Sequence, residues 1–342
     1  MFFNSKKSDS KKNQQIDFLG VGDVVIDTFI ELIDAWIETD NPEKHQELCM
    51  KFGQKIPYKN ETVVLATGNA PNAAHAAMKL GLKTGIVTNI GDDFNASQIL
   101  QGFSEKNIDT SNITIHKNHK SNHNYILRYR EERTILIHHN EYNYKFPEIS
   151  PAPKWIYLSS LSHNSLEHHH EIAKYLMRHP ETKLAFQPGT FQIKLGYEQI
   201  KDLYATTEIF FCNKEESQQI LQTKESDPKK LLEGIKNLGP KIVVVTDGPD
   251  GAYVFDGKEY WHGPMYPDPA PAVDRTGAGD SFSATFTIAI ALGKNIEEAL
   301  MWGPINSMSV VQYIGAQEGH LTQEKLLEFL KNAPDYYKPK RI

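Results

Sequence analysis

The run Asp274-Arg275-Thr276-Gly277-Ala278-Gly279-Asp280 sets a carboxylate on a glycine-rich turn at the mouth of an apolar segment. Gly277 and Gly279 lack Cβ atoms, so several backbone N–H groups can converge on one point. The positive end of a following helix adds to their pull on an anion. A phosphate group suits such a cradle, and Asp280 can take a proton from a hydroxyl as that oxygen attacks phosphorus. The run reads as a phosphoryl-transfer site. The competing role for Asp280 is a plain helix N-cap.

Other stretches offer partners for that chemistry, each with a simpler structural use. Gly22-Asp23-Val24-Val25-Ile26-Asp27 puts Asp27 at the carboxyl end of a first strand, where open α/β sheets bind ligands and a carboxylate can accept from a polyol. By itself this is a weak signal, and a turn aspartate is the plainer reading. Thr67-Gly68-Asn69-Ala70-Pro71-Asn72 joins a small-residue turn to an alanine-rich helix, and its Asn side chains offer the donors and acceptors that sugar hydroxyls need. Asn72 is also a natural helix cap. In Asn213-Lys214-Glu215-Glu216, Asn213 can contact phosphate and Glu216 can hold Mg²⁺ through water, although an acidic helix start has the same residues. The glycines of Thr246-Asp247-Gly248-Pro249-Asp250-Gly251 would let a nucleotide lie against backbone, or simply make a tight turn.

Two features are set aside. Gly20-Val21-Gly22 lacks the third glycine of a dinucleotide-binding turn, where Val25 stands, and no Gly-x-x-x-x-Gly-Lys-Ser/Thr run is present. His163, His168, His169 and His170 do not reproduce a zinc spacing and read as surface residues.

The elements that must carry these residues alternate. Strand-like runs are expected at Ile16 to Asp27, Gly85 to Ile90, Trp155 to Leu158, Lys183 to Phe186, Thr207 to Cys212 and Lys241 to Thr246. Helix-like segments fall at Asn72 to Leu80, His168 to Arg178 and Pro228 to Leu238. Phe282, Phe286, Ala289 and Ile290 keep helical spacing after Asp280, with Gly293 as the C′ residue. Alternation of this kind predicts a mostly parallel sheet covered on both faces. Thr28 to Val64 and Asn122 to His139 break the pattern. The segment from Asn122 reads as a hairpin turning near Glu131-Glu132-Arg133, and together the two predict a small separate sheet.

Composition narrows the partners. A chain of 342 residues with 39% hydrophobic content can bury one large core. Its net charge of −6 argues against a general nucleic-acid or acidic-membrane binder. Cys49 and Cys212 are too few for a disulfide framework, and with no signal-peptide pattern or membrane-length apolar run they fit a cytoplasmic protein. Residues 1–15 read as a flexible tail, and Asp335 to Ile342 as loosely held.

In this order, Gly22 to Asp27, Gly68 to Gly81, Asn213 to Glu216, Thr246 to Gly251 and Asp274 to Asp280 resemble the ribokinase (PfkB) family of carbohydrate kinases. The resemblance covers nearly the whole chain after the tail. It implies a ribokinase-like three-layer α/β/α fold over 16–342, with a mostly parallel central sheet and a small β-sheet lid from segments near 28–66 and 122–142. It also implies transfer of the ATP γ-phosphate to a sugar or nucleoside hydroxyl. By that resemblance Asp280 is the base and Gly277, Ala278 and Gly279 form the anion hole. Asp27, Gly68 and Asn72 bind the acceptor; Asn213 and Glu216 serve phosphate and Mg²⁺; Thr246, Gly248 and Gly251 line the nucleotide pocket. Asp274 and Thr276 match two positions of a monovalent cation (K⁺) site found in some members. Pairing of two copies through the lid sheet would make a homodimer.

The chain departs from the family pattern at Thr67, at Ala96, at Gln187-Pro188-Gly189 and in the spacing from Asn306 to Gly315, all of which bear on the choice of acceptor. A nucleoside kinase of the same family and a non-catalytic sugar-binding protein are the alternatives.

Overall fold

The computed structural model describes residues 14–39, 46–130 and 132–342. A ten-stranded sheet forms its centre. Strands Asp109–Ile115, Thr84–Ile90, Phe18–Val21, Trp155–Leu158, Lys183–Phe186, Thr207–Asn213 and Ile242–Thr246 lie side by side in that order and run parallel. Ala252–Phe255, Tyr260–Gly263 and Lys340–Arg341 add to one edge in antiparallel fashion.

Parallel strands need cover on both faces, and their side chains divide accordingly. Phe18, Tyr157, Phe211 and Val244 point to one layer and pack with Ala73, Phe286 and Leu300 of helices Asn69–Lys79, Ala278–Ala291 and Ile296–Val310. Leu19, Ile156, Phe186 and Phe210 point to the other and meet Ile172, Leu203 and Leu232 of helices Leu166–Arg178, Tyr197–Thr206 and Pro228–Lys236. Each fully buried side chain of this size stabilises the fold by about 1.5–3 kcal/mol. The fold is therefore three-layered, as the alternation predicts.

A four-stranded sheet stands apart, in the order Tyr58–Thr67, Val25–Leu32, His123–Tyr129, Glu132–Leu136. Its root is fixed by a third core of Val24, Ile26, Ala66 and Ala70 against Ile99 and Phe103. The hairpin expected between Asn122 and His139 pairs Tyr129 with Glu132, while Glu131 lies outside the described residues.

Four expectations need correction. The apolar run Ile16 to Asp27 is not one strand: it breaks after Val21, and Val25–Leu32 belongs to the small sheet. A Cβ on Gly22 would come within 2.8 Å of the Ala70 Cβ, so the chain passes tightly over the first helix and leaves the central sheet there. Asp27 consequently sits on the small sheet. The alanine-rich helix starts at Asn69, with Gly68 as its N-cap, so Asn72 is interior and does not cap it. The C-terminal segment is held in place: Tyr337 is buried and donates to the Met301 carbonyl, and Lys340–Arg341 is a strand. His168 and His169 are buried, not surface residues. Their helix begins at Leu166 and turns that face toward Tyr144, Phe146 and the sheet, and burial pushes their pKa values down to about 3 and 4. As for the N-terminal tail, residues 1–13 lie outside the described residues; Gln15 donates its side-chain amide to the Ala152 carbonyl.

Candidate active site

The helix that follows the glycine-rich run spans Ala278–Ala291, and its N-cap is Gly277 in a left-handed conformation (φ 77°), not Asp280. Asp280 occupies the third helical position and makes no capping bond, which removes the simple structural role for its side chain. A Cβ on Gly277 would lie 2.2 Å from the Ala316 Cβ, whereas a Cβ on Gly279 would meet nothing within 4 Å. Gly277 is packed from behind and Gly279 faces open space. Among the described residues, no protein acceptor receives the N–H groups of Gly277, Gly279 or Asp280. A cradle of uncommitted donors at a helix N-terminus fits a phosphate.

Asp280 is held by two amides. Oδ1 accepts from Asn69 Nδ2 at 2.8 Å and from Gln187 Nε2 at 3.1 Å, and Gln187 in turn accepts from the buried Tyr157 hydroxyl. Burial raises the Asp280 pKa above the usual aspartate value, while bonds from Gln187, Asn72 and Asn69 oppose that rise. Gln187 follows the central strand Lys183–Phe186, and Asn69 opens the helix after the small-sheet strand Tyr58–Thr67. Both sheets thus deliver a donor to one carboxylate at the carboxyl rim of the central strands.

A second set of polar contacts is built around Asn72. Its Oδ1 accepts from Thr67 Oγ1 at 3.1 Å and Gln317 Nε2 at 2.9 Å, which directs its amide toward Asp280. Gln317 also donates to the Ala66 carbonyl, and Ala66 has φ 53°, a left-handed value that is strained for a residue other than glycine. Gly68 lets the turn close, because a Cβ there would meet the Asp23 carbonyl at 2.7 Å. Asp27, from the small sheet, accepts from Asn124 at 3.1 Å, and burial pushes its pKa up to about 6. A charge on Asp274 adds to that rise.

On the other flank, Asn213 and Glu216 form a reciprocal capping box: Asn213 Oδ1 accepts from the Glu216 N–H and Glu216 Oε2 from the Asn213 N–H, both at 2.8 Å. Glu216 Oε1 has no such bond. Burial raises the Glu216 pKa, and the charge of Asp280 raises it further, so the two carboxylates feel one another and a divalent cation in the site would ease that repulsion. Thr246 is paired with Asn213 across adjacent parallel strands. Beyond it Gly248 (φ 49°) meets nothing within 4 Å, while Gly251 (φ 87°) is a packing necessity, since a Cβ would strike the Gly263 carbonyl at 2.2 Å. Only Gly248 of these two leaves backbone open to a ligand.

Asp274 is buried beside the turn. Thr276 donates to its Oδ1 through N–H at 3.0 Å and through Oγ1 at 2.7 Å, and the Gly315 N–H donates to Oδ2 at 3.1 Å. A concavity of about 850 Å³ between Ile16, Met78, Thr84 and Ile149 opens at the amino ends of the strands, away from Asp280. Among the described residues, no group of His, Cys, Asp and Glu side chains is arranged to hold a metal ion unaided.

Residues 24–323 match the model of the pfkB family carbohydrate kinases. The chain belongs to that family. It is similar to fructoselysine 6-kinase of Escherichia coli, with 25% identity over 73% of this chain and 90% of the relative. The structure resembles that of an Arabidopsis thaliana ribokinase complexed with ribose and ATP, with TM-score 0.74 and 20% identity over 93% of this chain and 99% of that one. It also resembles a nucleoside kinase of Methanocaldococcus jannaschii, with TM-score 0.73 and 19% identity over 94% and 99% of the two chains. This pfkB protein is thus a sugar or nucleoside kinase of ribokinase-like fold.

In this pfkB kinase the structure brings Asp280, Asn72, Gly277 and Gly279 together at one rim, with Glu216 close enough to sense the Asp280 charge. Sequence reasoning missed Asn69, Tyr157 and Gln317. Asn69 stands inside the acceptor turn and could have been singled out as a polar residue at a helix start; Tyr157 and Gln317 give no local signal. Gln187 stands out in the sequence only as a departure from the family pattern, yet it touches Asp280 directly.

Proposed function

We propose that this kinase transfers the γ-phosphate of ATP to a hydroxyl of a small sugar, with Asp280 as general base. The observation that carries the proposal is the pair of amide donors, Asn69 and Gln187, on Asp280 Oδ1 beside a glycine turn with uncommitted N–H groups. Both donors engage one oxygen, the Asn72 amide is also directed at the carboxylate, and Oδ2 is the oxygen assigned to receive a proton.

The acceptor lies on Asp27, Gly68 and Asn72, whose carboxylate and amide suit a polyol. Its hydroxyl oxygen attacks the γ-phosphorus; the bond from that phosphorus to the bridging oxygen breaks, ADP departs, and the hydroxyl proton passes to Asp280 Oδ2. The N–H groups of Gly277 and Gly279 stabilise the charge that develops on the phosphoryl oxygens, while the Ala278 N–H is already directed at the Arg275 carbonyl at 3.5 Å. Asn213, Thr246 and Gly248 flank the nucleotide, with Gly251 closing the turn behind Gly248, and Glu216 would hold Mg²⁺ through water. When bound, that ion neutralises phosphate charge. The small sheet acts as a lid that excludes water from the transfer. Val63, Tyr125 and Leu136 stand in register on one face of that sheet and are exposed, an apolar surface that supports pairing with a second copy.

The test is an acceptor panel of pentoses, hexoses, sugar phosphates and nucleosides with ATP and Mg²⁺, run on the wild type and on Asp280→Asn. A sugar should give ADP release that the variant loses by about 10²–10⁴-fold in kcat, equivalent to about 3–5 kcal/mol of barrier. Turnover restricted to nucleosides would replace the sugar assignment with nucleoside phosphorylation. Near-normal kcat in Asp280→Asn would remove the base.

A further inference from the structure

Asp274 meets the small sheet as well as the glycine turn. Arg133 Nη1 stands 3.9 Å from Asp274 Oδ1, and Arg128 Nη2 donates to the Val273 carbonyl at 3.2 Å. Both arginines belong to the hairpin His123–Tyr129/Glu132–Leu136. The same sheet packs over the loop that supplies the third Asp274 donor: a Cβ on Gly315 would lie 3.1 Å from Val64 and 3.6 Å from Phe29. We infer that Arg133 is the built-in counter-cation of Asp274, so that the small sheet, and not a monovalent metal ion, neutralises the carboxylate beside the glycine turn.

The donor set carries this inference. A bound alkali cation needs several oxygens turned toward it with free lone pairs. Here Asp274 Oδ1 receives the Thr276 N–H and hydroxyl, Oδ2 receives the Gly315 N–H, and the adjacent Val273 carbonyl receives a guanidinium. The oxygens of Asp274 and Val273 thus face hydrogen-bond donors. Every donor to Asp274 itself is neutral, its residue is only 6% exposed, and Asp27 is near enough for the two charges to repel. A buried carboxylate in that position needs a positive partner, and the Arg133 guanidinium is the one the fold provides. Its Nε is shielded from water and has no protein acceptor, and the side chain is only 30% exposed, so the group leans into the site. Arg133 then acts as a positioning residue: it links the place of the small sheet to the turn that cradles phosphate. The inference rests on reading residues 277–279 as that cradle.

Binding of MgADP, followed by calorimetry in KCl and in tetramethylammonium chloride of equal ionic strength, tests this without any proton transfer. Wild type should bind with affinities that agree within about twofold in the two salts. Arg133→Gln should bind about tenfold more weakly in tetramethylammonium and recover in KCl, while Arg133→Lys should stay close to wild type. A wild-type affinity that falls about tenfold when K⁺ is withdrawn would overturn the inference, as would an Arg133→Gln variant that matches wild type in both salts. Asp280→Asn should keep the wild-type salt response, so failure of the base assignment would show in turnover and not here. Absence of MgADP binding in both salts would remove the cradle on which the inference stands.

Discussion

Asn69 and Asp280, 211 residues apart in the chain, are joined by a 2.8 Å hydrogen bond from the Asn69 amide to Asp280 Oδ1. The bond runs from the turn that leads out of the small sheet to the helix that carries the glycine cradle. It therefore fixes the direction of the carboxylate relative to both the turn and the helix. It also favours the ionised form, in opposition to the burial that raises the Asp280 pKa.

Removing that donor should move the titration of Asp280 in a defined direction. In Asn69→Ala the carboxylate loses one bond that stabilises its charge, so its pKa rises further. The deprotonated base is then available only at higher pH. The acid limb of the kcat/KM–pH profile should shift upward, with kcat at neutral pH reduced by about tenfold. An unchanged or downward-shifted limb would show that the Asn69 bond does not tune the base.

Asp23 offers a stability test away from the transfer chemistry. It is 8% exposed, its Oδ1 accepts from the Tyr144 hydroxyl, and its Oδ2 has no hydrogen-bond partner. Burial pushes its pKa from 3.8 up to about 7. Folding therefore takes up a proton between those values, and this group's effect becomes more destabilising as pH rises from about 4 to 7. Asp23→Asn keeps an acceptor for Tyr144 and removes the charge. The variant should be more stable than wild type at pH 8 by roughly 2–4 kcal/mol in urea unfolding, with the gap closing toward pH 4. A gap independent of pH would refute the linkage.

What could be read from the chain was what local rules govern. The Asp274–Asp280 run was visible because glycine turns and helix starts are written in adjacent residues, and the central strands because parallel strands demand continuous apolar runs. The break after Val21 was hidden for the same reason. Val24 and Ile26 are as apolar as Leu19 because they fill a core of their own under the small sheet. Burial of His168 and His169 depended on Tyr144 and Phe146 reaching their helix, which no helical spacing discloses. Around Asp280, the bonds from Asn69 and Gln187 join segments far apart in the chain, so residue types alone could nominate the carboxylate but not the groups that orient it.

Glu216 separates two roles in one side chain. Its Oε2 closes the capping box, a job that glutamine also performs, whereas holding a hydrated Mg²⁺ requires the negative charge. Glu216→Gln should therefore leave thermal stability nearly unchanged and raise the Mg²⁺ concentration for half-maximal rate by about tenfold. Equal Mg²⁺ dependence in variant and wild type would reduce Glu216 to a helix cap.

The two glycines of the cradle should fail in different ways. At Gly277 the left-handed φ of 77° and the 2.2 Å approach to the Ala316 Cβ leave no place for a methyl group. Gly277→Ala adds about 1–2 kcal/mol of backbone strain to that clash and should lower the thermal midpoint and activity together. At Gly279 a Cβ meets no protein atom, so Gly279→Ala should fold with wild-type stability. Its methyl group would instead stand in the open space where phosphate is proposed to bind, and the expected loss is in KM for ATP and in kcat, by about tenfold or more. Steady-state kinetics and thermal melts on the two variants distinguish the cases. If Gly279→Ala keeps full activity, the open side of the turn is not where phosphate sits.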